Sequence, residues 1–263
     1  MRPRRAKAQT PSRPAPRRGV GGEQVEGRQA VRELLAAETR PVRDVWLAEG
    51  QDPAPVLREI NELAKRRRVP LRYVSRRQLE SEARTDGPQG VLAHAQALPE
   101  WDFDELCRGD GTIAPFLLAF DGVTDPQNMG ALLRSGEGAG VTGAVLPRHR
   151  SAHVTPSVAK AAAGAVERVR LAVVGGMAGA VARARDLGVW VVGLDAGGDQ
   201  SLFDLTVATE PVMVVVGAEG AGLSRLVRQR CDVLARIPLR GSIPSLNVAT
   251  AGALAVFEIS RRR

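Results

Sequence analysis

The chain is poor in aromatic residues: Phe, Trp and Tyr make up 3% of its 263 residues, with a single tyrosine. General single-strand binders stack successive bases on several exposed rings. So few rings disfavour that class, and any RNA is expected to be held through phosphates and shape. Cysteine is nearly absent. Cys107 and Cys231 are too few for a disulfide framework and suit a reducing cytoplasm. Histidine is scarce too. His149 and His153 are spaced i, i+4, but Pro147 and Pro156 flank them with no carboxylate or thiol nearby. No metal site is therefore expected. No apolar run approaches the roughly 20 residues that span a bilayer. The N-terminus lacks the apolar core of a secretion signal. These absences point to a soluble cytoplasmic protein without a membrane partner.

What is present is an ordinary globular balance, 44% hydrophobic and 25% charged, with a net charge of +8. Excess positive charge suggests a polyanionic partner, but here it is localised. Residues 1–18, "MRPRRAKAQTPSRPAPRR", hold seven Arg or Lys and no acid, +7 of the +8. This Pro- and Ala-rich segment cannot build a core, so residues 1–19 are expected to be a disordered basic tail. It either raises RNA affinity through counterion release or merely solubilises the chain.

After the tail, "EQVEGRQAVRELLAAE" (23–38) has helical apolar spacing and "VRDVWLAE" (42–49) alternates like a strand. "PAPVLREINELAKRRR" reads as a helix with proline near its start, "VPLRYVS" as a strand, "RRQLESEA" as a short helix and "GVLAHAQ" as a strand. Residues 20–97 thus form a small α/β domain, and the acidic, turn-rich 98–112 reads as a linker. Residues 113–263 contain strand candidates at 115–121, 143–147, 169–174, 189–196, 211–217 and 233–238, separated mostly by helical patterns. Several are continuous Val/Leu runs, as in a parallel sheet covered by helices on both faces. Ligands of such sheets bind beyond the carboxyl ends of the strands.

Three post-strand loops stand out. In "DGVTDPQNMGALLRSGEGAG", Asn128 lies at a helix mouth, as an N-cap or a ligand contact. Arg134 lies inside that helix, as a surface residue or a phosphate fork. "GEGAG" follows a helix and reads as a C-terminal stop. In "VVVGAEGAGLSRL", glycines surround Glu219, which either stabilises a helix dipole or faces a site. The spacing is neither G-x-G-x-x-G nor a phosphate loop, which argues against a dinucleotide oxidoreductase. In "IPLRGSIPSLN", Ser245 and Asn247 precede an apolar helix as caps or ligand contacts. Jointly the loops suggest a nucleotide-like ligand held mainly by backbone groups. "KRRR" (65–68), Arg72, Arg76, Arg77, Arg148 and Arg150 are either RNA contacts or a solvated face.

"DPQNMGALLRS", "VVVGAEGAGLSRL" and "IPLRGSIPSLNVATAGALAVFE" resemble, in order and spacing, the three motifs of SpoU/TrmH-type RNA 2'-O-ribose methyltransferases of the SPOUT superfamily. "RSAHVTPSVAKAAAGAVERV" resembles a further family segment. "VEGRQAVRELL" and "DGPQGVLAHA" resemble the substrate domain of the subgroup that methylates a guanosine of large-subunit (23S) rRNA. The resemblance runs from about residue 24 to the end. It implies an α/β fold with a C-terminal trefoil knot, which sequence physics alone would not suggest. It also implies a small N-terminal domain similar to the L30e/L7Ae fold. S-adenosylmethionine (AdoMet) would be the methyl donor and a homodimer would bind RNA, with no metal. Asn128, Arg134, Glu219, Ser245 and Asn247 match the family's catalytic set. Gly217, Ile237 and Leu246 match backbone positions around the cofactor, with Ala218, Gly220 and Leu239 beside them. Ala162 and Thr250 stand where serine is common in the subgroup. A tRNA guanosine 2'-O-methyltransferase and a non-catalytic RNA-binding protein are the competing readings.

Overall fold

The computed structural model describes residues 19–148 and 153–263. The basic segment 1–18, His149 and Arg150 lie outside the described residues. The first half of the small domain runs β1 (Gln24–Glu26), α1 (Arg28–Ala37), β2 (Val42–Ala48) and α2 (Pro55–Arg66). It continues with β3 (Leu71–Val74), α3 (Arg76–Glu82) and β4 (Val91–Ala95). The strands form one sheet in the order β1-β4-β2-β3. Its apolar face carries Val25, Val45 and Ala93 against α1 and α2, with Leu34, Leu35 and Ile60 fully buried. Proline opens α2, where its missing N–H costs nothing, and Ser75 caps α3 by accepting from the Gln78 amide at 3.3 Å.

One segment of the small domain differs from the sequence expectation. Residues 23–38 read as a single helix, yet the segment splits into β1 and α1 at Gly27, whose φ of 93° suits glycine. The apolar spacing is the same for both assignments over so few residues. What decides is pairing, since Gln24, Val25 and Glu26 align antiparallel with His94, Ala93 and Leu92.

The larger unit begins inside the expected linker. Residues 98–112 contain β5 (Glu100–Trp101) and α4 (Phe103–Arg108). β5 extends the second sheet beside Leu171 and Ala172, and Leu106 and Cys107 of α4 are buried in its core. There follow β6 (Phe116–Asp121), α5 (Pro126–Gly138), β7 (Gly143–Pro147), α6 (Pro156–Ala161), β8 (Leu171–Val174) and α7 (Met177–Asp186). The chain ends with β9 (Trp190–Leu194), β10 (Gln200–Ser201), β11 (Val212–Gly217), α8 (Arg225–Arg230), β12 (Val233–Arg236) and α9 (Val248–Arg262). All pairings in this sheet are parallel, in the order β10-β12-β9-β11-β6-β7-β8-β5. This is the expected parallel α/β architecture.

Strand periodicity divides the core between the two faces. Phe116, Leu118 and Phe120 point with Val212, Val214 and Val216 toward Met129, Val158 and Val256, on α5, α6 and α9. Leu117, Ala119, Met213 and Val215 point the other way, toward Leu106, Val181 and Val227, on α4, α7 and α8. Two glycines let helices approach closely. A Cβ at Gly130 would sit 2.7 Å from the Ala162 amide, and one at Gly252 would sit 2.2 Å from Leu132. The backbone order also matters: β11 enters between β9 and β6, and β12 between β10 and β9. Their carboxyl ends therefore open on the same edge as that of β6.

The two units share packing. Val20 and Leu98 belong to the larger core, and Gly21 bridges Val154. At the junction the buried Arg40 guanidinium grips the buried Glu167 carboxylate through a fork, Nε to Oε2 at 2.9 Å and Nη2 to Oε1 at 2.6 Å. Arg40 also donates to the carbonyls of Gly22 and Gln96. Arg168 pairs with Glu33 at 2.8 Å, and the Lys160 ammonium donates to the carbonyls of Asp86 and Gly87 at 2.7 Å. Among the described residues, no helix is long and apolar enough to cross a membrane.

Candidate active site

Each motif loop leaves the carboxyl end of a parallel strand. β6 ends at Asp121, and α5 starts after Asp125, whose carboxylate accepts from the amides of Gln127 at 3.3 Å and Asn128 at 3.0 Å. The N-cap is thus Asp125. Asn128 is left free to point elsewhere from the first turn, buried to 8% exposure. Next to β6, Gly217 of β11 lies in register with Asp121. The chain then folds back in a tight turn, closed by Ala218 and Gly222 exchanging backbone hydrogen bonds of 3.0 and 2.8 Å. Gly220 and Gly222 take φ of 77° and 67°, which a side chain would strain. Glu219 is at the exposed tip of this turn. Helix α8 begins only at Arg225, so Glu219 is not a first-turn acid stabilising a dipole.

Asn128 joins the loops. Its amide nitrogen donates to the Glu219 carboxylate at 3.2 Å, and its carbonyl oxygen accepts from the Asn247 amide at 2.9 Å. The oxygen of Asn247 in turn accepts from the backbone amides of Ala249 at 2.9 Å and Thr250 at 3.3 Å. Both amide orientations follow from chemistry. A backbone N–H only donates and an ionised carboxylate only accepts, so each asparagine has one consistent setting along the chain. Asn247 therefore caps α9 with one atom and reaches the first motif with the other. Ser245 is not the cap; it is exposed and makes no hydrogen bond with any described residue.

Three of the five catalytic candidates, Asn128, Glu219 and Asn247, thus meet. The other two do not join them. Arg134 is exposed on α5, and its side chain has no hydrogen bond or ion pair with any described residue. Of the cofactor candidates, Gly217, Ala218 and Gly220 form the strand end and the turn. Ile237 is partly buried against the core, and Leu239 and Leu246 are each 39% exposed. The whole stretch 238–247 is exposed in the single chain. Sequence reading did not nominate Asp121, although it marks the strand end. Its Oδ2 accepts from the Ser224 amide at 2.6 Å and ties down the far side of the Glu219 turn.

The chemistry on offer is positioning rather than covalent. Burial pushes the thiols of Cys107 and Cys231 up to about 12, so neither is a nucleophile near neutrality. Among the described residues, no cluster of three or more His, Cys, Asp or Glu could hold a metal.

The family model of the SpoU rRNA methylase family matches residues 115–257, and that of the RNA 2'-O ribose methyltransferase substrate-binding domain matches residues 24–101. The chain belongs to the SpoU rRNA methylase family. It is similar to the 23S rRNA (guanosine-2'-O-)-methyltransferase RlmB of Pseudomonas aeruginosa, 40% identical over 92% of this chain and 97% of the relative. RlmB of Shewanella oneidensis is 38% identical over 90% of this chain and 96% of its own. Among solved structures, the SpoU methyltransferase AviRb from Streptomyces viridochromogenes in complex with AdoMet superposes with a TM-score of 0.74 at 25% identity. That match covers 91% of this chain and 89% of AviRb.

In this SpoU member the Gly217 turn has no slack. A Cβ at Gly217 would lie 2.1 Å from the carbonyl carbon of Gly222 and 2.4 Å from the Leu223 nitrogen. Both are backbone atoms, which cannot rotate aside. Gly217→Ala is therefore expected to destabilise the protein by about 1–3 kcal/mol, as overpacking does, and to displace Glu219 from Asn128. A lowered thermal midpoint together with lost methyl transfer checks this; an unchanged midpoint counts against so tight a turn.

Proposed function

We propose that the protein transfers a methyl group from AdoMet to the ribose 2'-oxygen of a guanosine in 23S rRNA, as its name states for RlmB. The observation that carries this reading is the Asn128 junction, which binds the three motif loops into one surface at the carboxyl edge of the sheet. Residues 20–97 act as the RNA substrate-binding domain, and the larger unit, from β5 to the end of α9, acts as the methyltransferase domain. Substrate rRNA places the enzyme in the cytoplasm. The entry of β11 and β12 between strands already in the sheet supports the trefoil-knot reading.

The residues fit the donor. Gly220 and Gly222, where a Cβ would meet nothing within 4 Å, leave the turn's backbone bare, and exposed Leu239 and Leu246 offer apolar contact beside it. Backbone of Gly217, Ala218, Gly220, Ile237 and Leu246 would hold AdoMet, which supplies an electrophilic methyl on sulfonium. A ribose hydroxyl is a poor nucleophile, so what remains for the protein is orientation and proton management. Arg134 clamps the phosphate next to the acceptor ribose through its planar fork of donors. Glu219, fixed by Asn128, holds the ribose edge. Asn247 keeps the third loop in place, and Ser245 shapes the pocket rim.

A homodimer completes this site. Leu239, Ile243, Leu246, Leu254 and Phe257, from the third loop and α9, are between 39% and 73% exposed. So much apolar surface around one segment is characteristic of an interface. Incubating the protein with labelled AdoMet and either 23S rRNA or tRNA, then mapping 2'-O-methylation, tests the reading. Label in a 23S guanosine is expected; label confined to tRNA, or none in either RNA, overturns it.

A further inference from the structure

Residues 65–77, "KRRRVPLRYVSRR", contain seven basic residues and no acid. The fold sorts them by task. Arg67 is structural, donating to the carbonyls of Leu34, Leu35 and Arg40. Arg76 pairs with Glu80 at 3.0 Å and Arg72 with Asp44 at 3.5 Å. Lys65, Arg66 and Arg68 are exposed and pair with no described residue.

Within this run stands Tyr73, the only tyrosine, on β3, the edge strand of the small sheet. It is 60% exposed, more than any other aromatic residue described, and its hydroxyl donates to the Asn61 side chain on α2 at 2.8 Å. That bond satisfies the polar tip and holds the ring in one setting without covering it. Asn61 belongs to a helical stripe with Arg58 and Lys65, spaced i, i+3 and i+7, so all three lie on one face of α2. Arg58, like Lys65, is exposed and pairs with no described residue. Of the acids of α2, Glu59 pairs with Arg32 at 2.8 Å, and exposed Glu62, i+4 from Arg58 and i−3 from Lys65, borders the stripe on the side away from Asn61.

We propose that Tyr73, with Arg58 and Lys65 along its side, is a binding site for one unpaired RNA base and the phosphates next to it. A fixed aromatic face receives a base of any identity, and unpaired cations beside it take the backbone. Scarcity of aromatics excludes a platform for a run of bases, but one anchored ring holds one base. The inference rests on the reading of residues 20–97 as the RNA-binding domain.

The experiment measures binding of the full chain to a 23S rRNA fragment carrying the methylated guanosine, and to an unstructured RNA of about 12 nucleotides. Tyr73→Ala is expected to weaken both by roughly tenfold without changing the salt dependence. Tyr73→Phe keeps the ring and loses only its anchor, so it should retain most of the native affinity and bind clearly better than Tyr73→Ala. Lys65→Ala should lower the salt slope by about one. Thermal midpoints should stay at native values, since these residues are exposed, and methyl transfer to rRNA should show a KM raised in step with the weakened binding. Native affinity in Tyr73→Ala, or a Phe variant as weak as Ala, overturns the stacking site. Absence of methyl transfer by the native chain, with the Tyr73 effect on the short RNA intact, overturns the methyltransferase reading alone.

Discussion

An Arg134→Lys enzyme is expected to lose about a hundredfold or more in kcat, the scale on which a positioned charge donor acts in a transition state. Lysine keeps the charge but replaces a planar fork with a single ammonium, so bidentate hold on a phosphate is lost. Arg134 is exposed, and its side chain bonds to no described residue. The substitution should therefore leave the thermal midpoint and AdoMet affinity unchanged, which separates loss of catalysis from loss of structure. Single-turnover methyl transfer at saturating RNA, with calorimetric titration of AdoMet, measures both. Near-native turnover would show that Arg134 supplies charge alone, and a fallen AdoMet affinity would move it to the donor side of the site.

The second large effect concerns stability. Removing Arg40 by Arg40→Ala leaves the Glu167 carboxylate buried at 4% exposure without its fork. Leaving one member of a buried pair unpaired typically costs about 3–5 kcal/mol. The double variant Arg40→Met, Glu167→Leu removes both charges and fills much the same volume, so it should recover most of that loss. Denaturant midpoints of the single and double variants test this. If both are equally destabilised, packing of the Arg40 stem and its bonds to Gly22 and Gln96 outweigh the ion pair.

Much of the larger unit was legible from local pattern. Continuous apolar runs such as residues 211–217 and 115–121 became central strands because both sheet faces are covered by helices. The loops that follow them were legible for the same reason. Asn128 and Glu219 were visible as candidates, but their contact was not, since they are 91 residues apart and Asn247 lies 119 beyond Asn128. Separation on that scale leaves no periodic trace. Likewise β1 and β5 are two or three residues long and exist only through pairing with β4 and β8. Asn128 as an N-cap was the natural local reading; Asp125 three residues earlier took that role and released it. The Arg40–Glu167 pair, 127 residues apart, gave no sequence signal.

That pair has a consequence for how a target is chosen. A small domain fastened to the larger one by a shared core, a backbone bridge and a buried fork does not swing on a tether. On the proposed reading of the small domain, RNA held there would be presented to the motif loops at a set span and angle. Selection would then work as a caliper does, favouring the nucleotide that falls at the right distance.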